Sequence, residues 1–253
     1  MSKLINAFHN LRAKNKKAII PYIMAGDGGI DCLNDRLLLL ENMGATAIEI
    51  GIPFSDPVAD GPTIQQASIR ALNKKVTLKQ ILLELKKVKN LSVPIILMTY
   101  LNPVYAYGID KFVMDIADAG VSGCIIPDLP IEEENIIAQQ LEKKQIELIR
   151  LVTMTTPLER IKLISQKKSS FLYAVTIKGI TGTRSELDET IVDFIEKVKS
   201  VTSKPVLAGF GISNTQQIMH LNSFCDGVII GSKIIELFET NDLKTMESLF
   251  MTQ

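Results

Sequence analysis

The sequence is poor in the residues that build metal sites and disulfide frameworks. Its 253 residues include two histidines, three cysteines and no tryptophan. His9 and His220 lack any HExxH-like spacing, and Cys32, Cys124 and Cys225 form no CxxC pair. A metal site built on His or Cys ligands is therefore not expected. The odd number of cysteines, two of them in or beside apolar runs, indicates reduced thiols in a cytosolic protein.

An excess of charge of either sign is also lacking. Lys plus Arg and Asp plus Glu both total 28, so the formal net charge is zero. Without a basic stripe, nucleic acid is not an expected partner, although backbone N–H groups can still bind a small anion. No apolar run approaches the roughly 20 residues of a membrane span. The N-terminus lacks the apolar core of a signal peptide, so we expect a cytoplasmic protein without membrane association.

What the sequence does contain is a repeated alternation of strand-like and helix-like segments. Hydrophobic residues make up 46% of the chain, enough for a full core. Eight short apolar runs are nearly continuous rather than alternating, which is typical of parallel strands covered on both faces. They span residues 18–24, 46–50, 94–100, 122–126, 146–152, 171–175, 205–209 and 226–230.

Amphipathic helical patterns lie between these runs, for example over residues 31–44, 77–90 and 131–145. Eight strand–helix units in one chain, with no linker between them, predict a single (β/α)8 TIM-barrel domain over residues 1–253. An open doubly wound sheet is the alternative, but its GxGxxG fingerprint is absent. We expect an additional N-terminal helix that covers the bottom of the barrel. The long gap between the second and third runs predicts a further short helix.

The stretch "AIEIGIPFSDPVADGP" from Ala47 combines two unusual carboxylates. Glu49 lies inside an apolar strand, and the neighbouring first and third runs offer no Lys or Arg as a partner. Such a desolvated glutamate has a raised pKa and is suited to proton transfer near neutral pH. Asp60 follows in a loop stiffened by three prolines. An ordinary Asp-Gly turn is the alternative reading of Asp60, but such a turn does not require this stiffening.

Glycine-rich turns follow the last two predicted strands, at the end of a barrel where chemistry gathers. Gly209 and Gly211 permit close backbone approach, and Gly231 with Ser232 opens a helix whose free N–H groups would face the barrel mouth. These turns predict a phosphate site. The polar segment after the sixth strand, "TIKGITGTRSELDE", is either a mobile lid or a solvated surface loop.

Five motifs, in order along the chain, resemble the α subunit of tryptophan synthase. They are "EIGIPFSDPVADGPTIQ", "MTYLNP", "IIPDLPIEE", "GITG" and "GFGIS…GVIIGS". The resemblance implies a TIM barrel and a carbon–carbon lyase of tryptophan biosynthesis. The implied reaction is the retro-aldol cleavage of indole-3-glycerol phosphate to indole and glyceraldehyde 3-phosphate. Two positions depart from the family pattern: "GDGG" follows the first strand, and Thr176-Ile177 follows the sixth.

The same resemblance assigns roles to individual residues. Glu49 matches the catalytic acid/base, and Asp60 matches the carboxylate beside the indole nitrogen. Thr181 matches a lid residue that meets Asp60 on closure. The phosphate-binding positions are Gly182, Gly211, Gly231 and Ser232, and the indole pocket is formed by Tyr22, Tyr100, Ile125, Tyr173 and Phe210.

The resemblance also implies a partner. In this family the α subunit docks on a pyridoxal-phosphate β subunit in an α2β2 assembly, and indole passes between the two. No cofactor is expected in this chain itself. Two alternatives remain open from the sequence: another phosphate-binding barrel, such as a sugar-phosphate epimerase or isomerase, and a non-catalytic subunit that activates the β subunit.

Overall fold

The computed structural model describes residues 2–176, 184–209 and 211–252, and of residues 184–188 it describes only the backbone. Parallel strands in this part of the chain form one nearly closed barrel, in the order β5-β4-β3-β2-β1-β9-β8-β7-β6. Their bounds are β1 Ala18–Met24, β2 Ile48–Gly51, β3 Ile95–Met98, β4 Val121–Ile125, β5 Glu147–Ile149, β6 Leu151–Thr153, β7 Leu172–Val175, β8 Val206–Gly209 and β9 Gly227–Ile230. The TIM-barrel fold predicted from the sequence is confirmed.

Helices alternate with these strands and surround the barrel. They are α1 Lys3–Ala13, α2 Leu33–Asn42, α3 Pro62–Asn73, α4 Leu78–Lys87, α5 Leu101–Tyr107, α6 Ile109–Asp118, α7 Ala138–Lys143, α8 Leu158–Gln166, α9 Arg184–Lys199, α10 Thr215–Asn222, α11 Ser232–Glu239 and α12 Leu243–Phe250. Both α3 and α4 lie between β2 and β3, so the extra helix predicted there is present. Across the described ranges, no helix is long and apolar enough to cross a membrane.

The predicted fifth strand, residues 146–152, is two short strands because the chain changes its pairing partner at Arg150. β5 pairs with β4, and β6 pairs with β7. The Arg150 side chain occupies the gap: its Nη1 donates to the carbonyl oxygens of Leu148 and Lys168 at 3.0 and 3.2 Å. Its Nε donates to Glu134 at 2.7 Å. The single strand expected from the apolar run is thus divided at Arg150, whose side chain pairs outside the sheet.

The helix expected over residues 131–145 is also shorter than its pattern suggests. A 3-10 turn covers Glu134–Ile136, and the α-helix α7 begins only at Ala138. Glu134, within this pattern, is buried and bridges Arg150 at 2.7 Å and Lys167 at 2.9 Å. The requirement for a counter-ion to Arg150 has overridden the local helical preference.

The N-terminal helix closes the bottom of the barrel, as the sequence predicts. Leu4 and Phe8 of α1 are buried, and the Phe8 ring lies 5.1 Å from that of Phe171, just before β7. The Ser2 hydroxyl caps the helix by accepting from the Ile5 N–H at 3.2 Å and donates to the buried Glu147 carboxylate. The barrel interior is therefore sealed at the amino ends of the strands, and the opposite end is its mouth.

The buried side chains form two layers. Every second strand residue points inward and joins an inner core that includes Ala18, Ile20, Tyr22 and Met24 of β1. The intervening residues, such as Ile19 and Ile23, pack outward against the helices. Both faces of each strand are thus covered, which explains the continuous apolar runs. A polar side chain at an inward position must lie in the barrel interior.

Candidate active site

Glu49 occupies such an inward position on β2, between Ala47 and Gly51. It is 3% exposed, and its Oε2 has no hydrogen-bond partner within the described part of the chain. Burial, reinforced by the nearby charge of Asp60, raises the pKa of Glu49 to about 8. The glutamate therefore retains its proton at neutral pH and can donate it to a bound molecule.

The loop after β2 is held in place by side chains from two other elements. Ser68, fully buried on α3, accepts from the Phe54 N–H and donates to the Phe54 carbonyl, both at 2.9 Å. The Tyr100 hydroxyl accepts from the Ala59 N–H at 3.0 Å. Gln65 donates to the carbonyl oxygen of Asp60 at 2.9 Å. The loop is thus fixed by hydrogen bonds as well as by its prolines.

Asp60 is the second carboxylate of the site. Partial burial raises the pKa of Asp60 to about 6, and a side-chain hydrogen bond with Tyr100 opposes this rise. Asp60 is therefore mostly ionised at neutral pH while Glu49 is mostly protonated. Two carboxyl groups with separated pKa values can act as an acid and as a negatively charged stabiliser in the same pocket.

Two tyrosines lie across glycines of the neighbouring strands. A Cβ placed on Gly51 of β2 would overlap with the hydroxyl oxygen of Tyr22 on β1, and one placed on Gly209 of β8 would overlap with the ring of Tyr173 on β7. Both glycines are therefore needed so that the rings can cross the barrel mouth. The pattern of inward positions could have identified Gly51, which the sequence reasoning did not single out.

The proposed indole-pocket residues that the structure describes share the inner core. Tyr22, Tyr100, Ile125 and Tyr173 all belong to it, and the Phe54 ring packs 5.2 Å from the Tyr100 ring. Tyr22, Tyr100 and Ile125 lie towards or just beyond the carboxyl ends of their strands. Tyr173 begins lower, as the second residue of β7, and its side chain reaches Gly209 at the end of β8. Phe210, also assigned to this pocket from the sequence, lies outside the described residues.

The predicted phosphate site is described only in part. Gly211 has a φ of 76°, a left-handed conformation that favours glycine. Gly231 precedes α11, which begins at Ser232 and leaves its first N–H groups without intrahelical partners. Gly231 and Ser232 are both partly exposed at the mouth. Gly182 and the predicted lid residue Thr181 lie outside the described residues.

An ion-pair cluster that the sequence did not suggest connects the loop after β1 to helices α3 and α11. Asp27, 5% exposed, accepts from Arg70 of α3 at 2.7 and 2.8 Å in a bidentate arrangement. Arg70 also bridges Glu239 of α11 at 2.6 Å. The "GDGG" loop is therefore anchored through its aspartate. Because α3 carries Ser68 and Gln65, the same cluster supports the helix that holds the Asp60 loop.

Away from the mouth, a cavity of about 400 Å³ is lined by Ser2, Glu134, Glu147 and Arg150 among others. Its buried carboxylates both have partners: Glu134 pairs with Arg150 and Lys167. Glu147 accepts from the Ser2 hydroxyl and from Ser170. The unpartnered oxygen of Glu49 distinguishes the mouth, and we place the candidate site there.

These features define a (β/α)8 barrel with an acid–base site in its mouth. The model of the tryptophan synthase alpha chain family matches residues 8–251. The chain is 52% identical to the tryptophan synthase alpha chain of Bacillus cereus over 240 residues, which is 94% of this chain and 92% of that relative. With the alpha chain of Bacillus anthracis it shares 52% over 234 residues, 92% and 89% of the two chains.

Solved structures of the same family are also similar to this chain. The alpha subunit of tryptophan synthase from Legionella pneumophila superposes with a TM-score of 0.89 at 32% identity, covering 100% of this chain and 97% of that one. A tryptophan synthase structure from M. tuberculosis in an aminoacrylate-bound form gives a TM-score of 0.89 at 29% identity, covering 100% and 99%. The chain belongs to the tryptophan synthase alpha chain family. It is a carbon–carbon lyase of tryptophan biosynthesis that acts on indole-3-glycerol phosphate.

Proposed function

We propose that Glu49 and Asp60 together carry the cleavage of indole-3-glycerol phosphate. Protonated Glu49 donates its proton to C3 of the indole ring, and the positive charge that develops is shared with the ring nitrogen. Ionised Asp60 accepts a hydrogen bond from the indole N–H and stabilises this charge. The Glu49 carboxylate then takes the proton of the hydroxyl group on the adjacent carbon. The carbon–carbon bond breaks, its electron pair returns to the ring, and indole and glyceraldehyde 3-phosphate result.

The observation that carries this proposal is the unpartnered, buried Oε2 of Glu49. Burying a carboxyl group without a hydrogen-bond partner is unfavourable, so its presence calls for a function in the bound state. The pKa of about 8 for Glu49 and of about 6 for Asp60 match the protonation states that the two steps require.

The remaining site residues receive their roles from the family resemblance. We propose that Tyr22, Tyr100, Ile125, Tyr173 and Phe210 surround the indole ring, and that Gly182, Gly211, Gly231 and Ser232 bind the phosphate. A glycine-rich turn with a helix N-terminus offers N–H groups to an anion without a net positive charge. Thr181 is proposed to close over Asp60. The whole chain, residues 1–253, is proposed to act as one domain, because a single sheet takes strands from both its halves.

As a member of the alpha chain family, the chain works as part of a complex with a β subunit, which carries the pyridoxal phosphate. We propose an α2β2 assembly in which indole passes to that subunit, while the chemistry in this chain relies on its own side chains. A cytoplasmic location is proposed because the three cysteines are free thiols, which suits a reducing compartment.

Indole release from indole-3-glycerol phosphate tests the proposal, with and without a β subunit. The unsubstituted chain should release indole, faster with the β subunit, and Glu49→Gln should abolish release. Glu147→Gln is the matched control, since it alters a buried glutamate at the other end of the barrel. If a folded chain that binds the β subunit releases no indole under any condition, the non-catalytic activating subunit is the correct reading. Family membership already disfavours an epimerase or isomerase.

A further inference from the structure

Resting on the proposed lyase activity, we propose that the hydroxyl of Tyr22 recognises the glycerol chain of the substrate. It donates a hydrogen bond to the hydroxyl group on the central carbon of that chain. Tyr22 then has two functions: its ring lines the indole pocket, and its oxygen selects for a polyol between indole and phosphate.

The first support is the environment of the Tyr22 hydroxyl. Tyr22 is 3% exposed, and its Oη has no hydrogen-bond partner in the ranges that the structure describes. Buried tyrosine hydroxyls usually find a partner. Phenylalanine would fill the same space without this unfavourable desolvation. A buried hydroxyl group that none of the surrounding side chains satisfies therefore indicates a partner that arrives with the ligand.

The second support is where the side chain lies. At the base of the side chain, the Cβ and Cδ1 atoms of Tyr22 are 3.8 and 3.9 Å from the point where a Cβ would lie if Gly231 carried one. Gly231 belongs to the turn assigned to phosphate. At its tip, the hydroxyl lies over Gly51, two residues beyond Glu49. The side chain thus extends from the phosphate turn to the strand of the proposed acid. In the substrate, the glycerol chain spans the same interval, since it connects the phosphate to the indole ring.

The third support is the match between unsatisfied groups and substrate hydroxyls. Tyr22 and Glu49 are register partners on β1 and β2, and each retains an oxygen without a partner. The glycerol chain brings two free hydroxyl groups. The proposed mechanism assigns the hydroxyl next to the ring to Glu49, and the central hydroxyl is left for Tyr22. The indole N–H is already assigned to Asp60.

The electrostatics determine which partner donates. Burial, with the charges of Asp60 and Glu49, raises the pKa of Tyr22 well above its usual value. The hydroxyl therefore stays protonated throughout the working pH range, and it can donate to a substrate oxygen.

Binding to two ligands tests the inference. Affinities are measured in a Glu49→Gln background, which prevents turnover, for indole-3-glycerol phosphate and for 3-(indol-3-yl)propyl phosphate, which lacks both hydroxyls. Adding Tyr22→Phe should weaken binding of the first roughly tenfold and leave binding of the second unchanged. The control Tyr107→Phe removes a hydroxyl that hydrogen bonds Asp115 at 2.6 Å, outside the pocket, and should affect neither ligand.

Equal weakening for both ligands, or for neither, would overturn the inference. Urea unfolding tests whether weaker binding simply reflects a less stable fold. Tyr22→Phe should be at least as stable as its parent, because the hydroxyl it removes has no partner in the described structure. If the unsubstituted chain neither binds indole-3-glycerol phosphate nor releases indole from it, the proposed function fails, and this inference fails with it.

Discussion

Tyr22 and Glu49 face each other in register across β1 and β2, and each ends in a buried oxygen without a partner in the described ranges. Two such atoms on adjacent strands destabilise the unliganded fold. The same two atoms are positioned to bind a polar substrate. The mouth of this barrel is therefore a place where stability and function oppose each other, and the variants below are chosen to separate the two.

Glu49→Gln should stabilise the protein, and more so as the pH rises. The folded state holds the Glu49 proton up to a pKa of about 8, whereas an unfolded glutamate releases it near 4.5. Wild-type stability is thus lost progressively between these values, by at most about 1.4 kcal/mol per pH unit. Glutamine does not titrate, so urea unfolding at pH 5 and pH 8 should show a gap that widens. A constant gap would contradict the raised pKa.

The pH dependence of kcat/KM should be bell-shaped. Asp60 must be ionised, so activity should fall below its pKa of about 6. Glu49 must be protonated, so activity should fall above its pKa of about 8. Steady-state indole release between pH 5 and 9.5 measures both limbs. An alkaline limb absent up to pH 9.5 would exclude Glu49 as the proton donor.

Tyr100→Phe should move the acid limb to higher pH. The hydrogen bond from Tyr100 lowers the pKa of Asp60, so its removal lets the pKa rise further. The variant also distinguishes the titration of Asp60 from that of the substrate's phosphate. The phosphate ionises at about pH 6, but its pKa does not change with the substitution. Tyr105→Phe, which alters an exposed ring on α5, serves as the control and should leave the limb in place. An unmoved limb in Tyr100→Phe would assign it to the substrate instead.

Arg70→Leu should destabilise the fold by about 1–3 kcal/mol, because it removes charged hydrogen bonds from the buried carboxylate of Asp27. The α3 helix would lose an anchor, and KM should rise as the Asp60 loop loosens. The matched control is Arg160→Leu, which removes an exposed pair with Glu132. That substitution should leave the urea midpoint unchanged. If Arg70→Leu changed the urea midpoint no more than Arg160→Leu does, Asp27 would not need Arg70 as a partner.

The sequence predicted the barrel because its signals were local. Continuous apolar runs indicated strands covered on both faces, and the alternation with helices indicated the topology. The burial of Glu49 could also be foreseen, since it lies inside an apolar strand, and its lack of an ion pair followed from the absence of a cation on the neighbouring strands. The catalytic and binding roles of these residues stay predictions, and those of Thr181, Gly182 and Phe210 fall on positions outside the described residues.

Long-range partners were the part that could not be predicted. Arg150 interrupts an apolar run because it pairs with Glu134, 16 residues away, and that pairing also displaced the start of α7. Ser68 looks like an ordinary helix residue until it meets the backbone of Phe54. Asp27 and Arg70 are 43 residues apart in sequence. Single residues of this kind have no periodicity that a pattern could detect.

The break at Arg150 has a consequence for the protein outside its native state. A closed barrel has no free strand edge, whereas an open sheet offers two to other chains. Here β5 and β6 are the two ends of the sheet order, and Arg150, which lies between them, pairs with Glu134. Against the effect of burial, hydrogen bonds and ion pairs with Arg150 and Lys167 lower the pKa of Glu134. Protonation of Glu134 in acid would weaken this junction. Below its pKa, the exposed edges would favour aggregation over reversible unfolding.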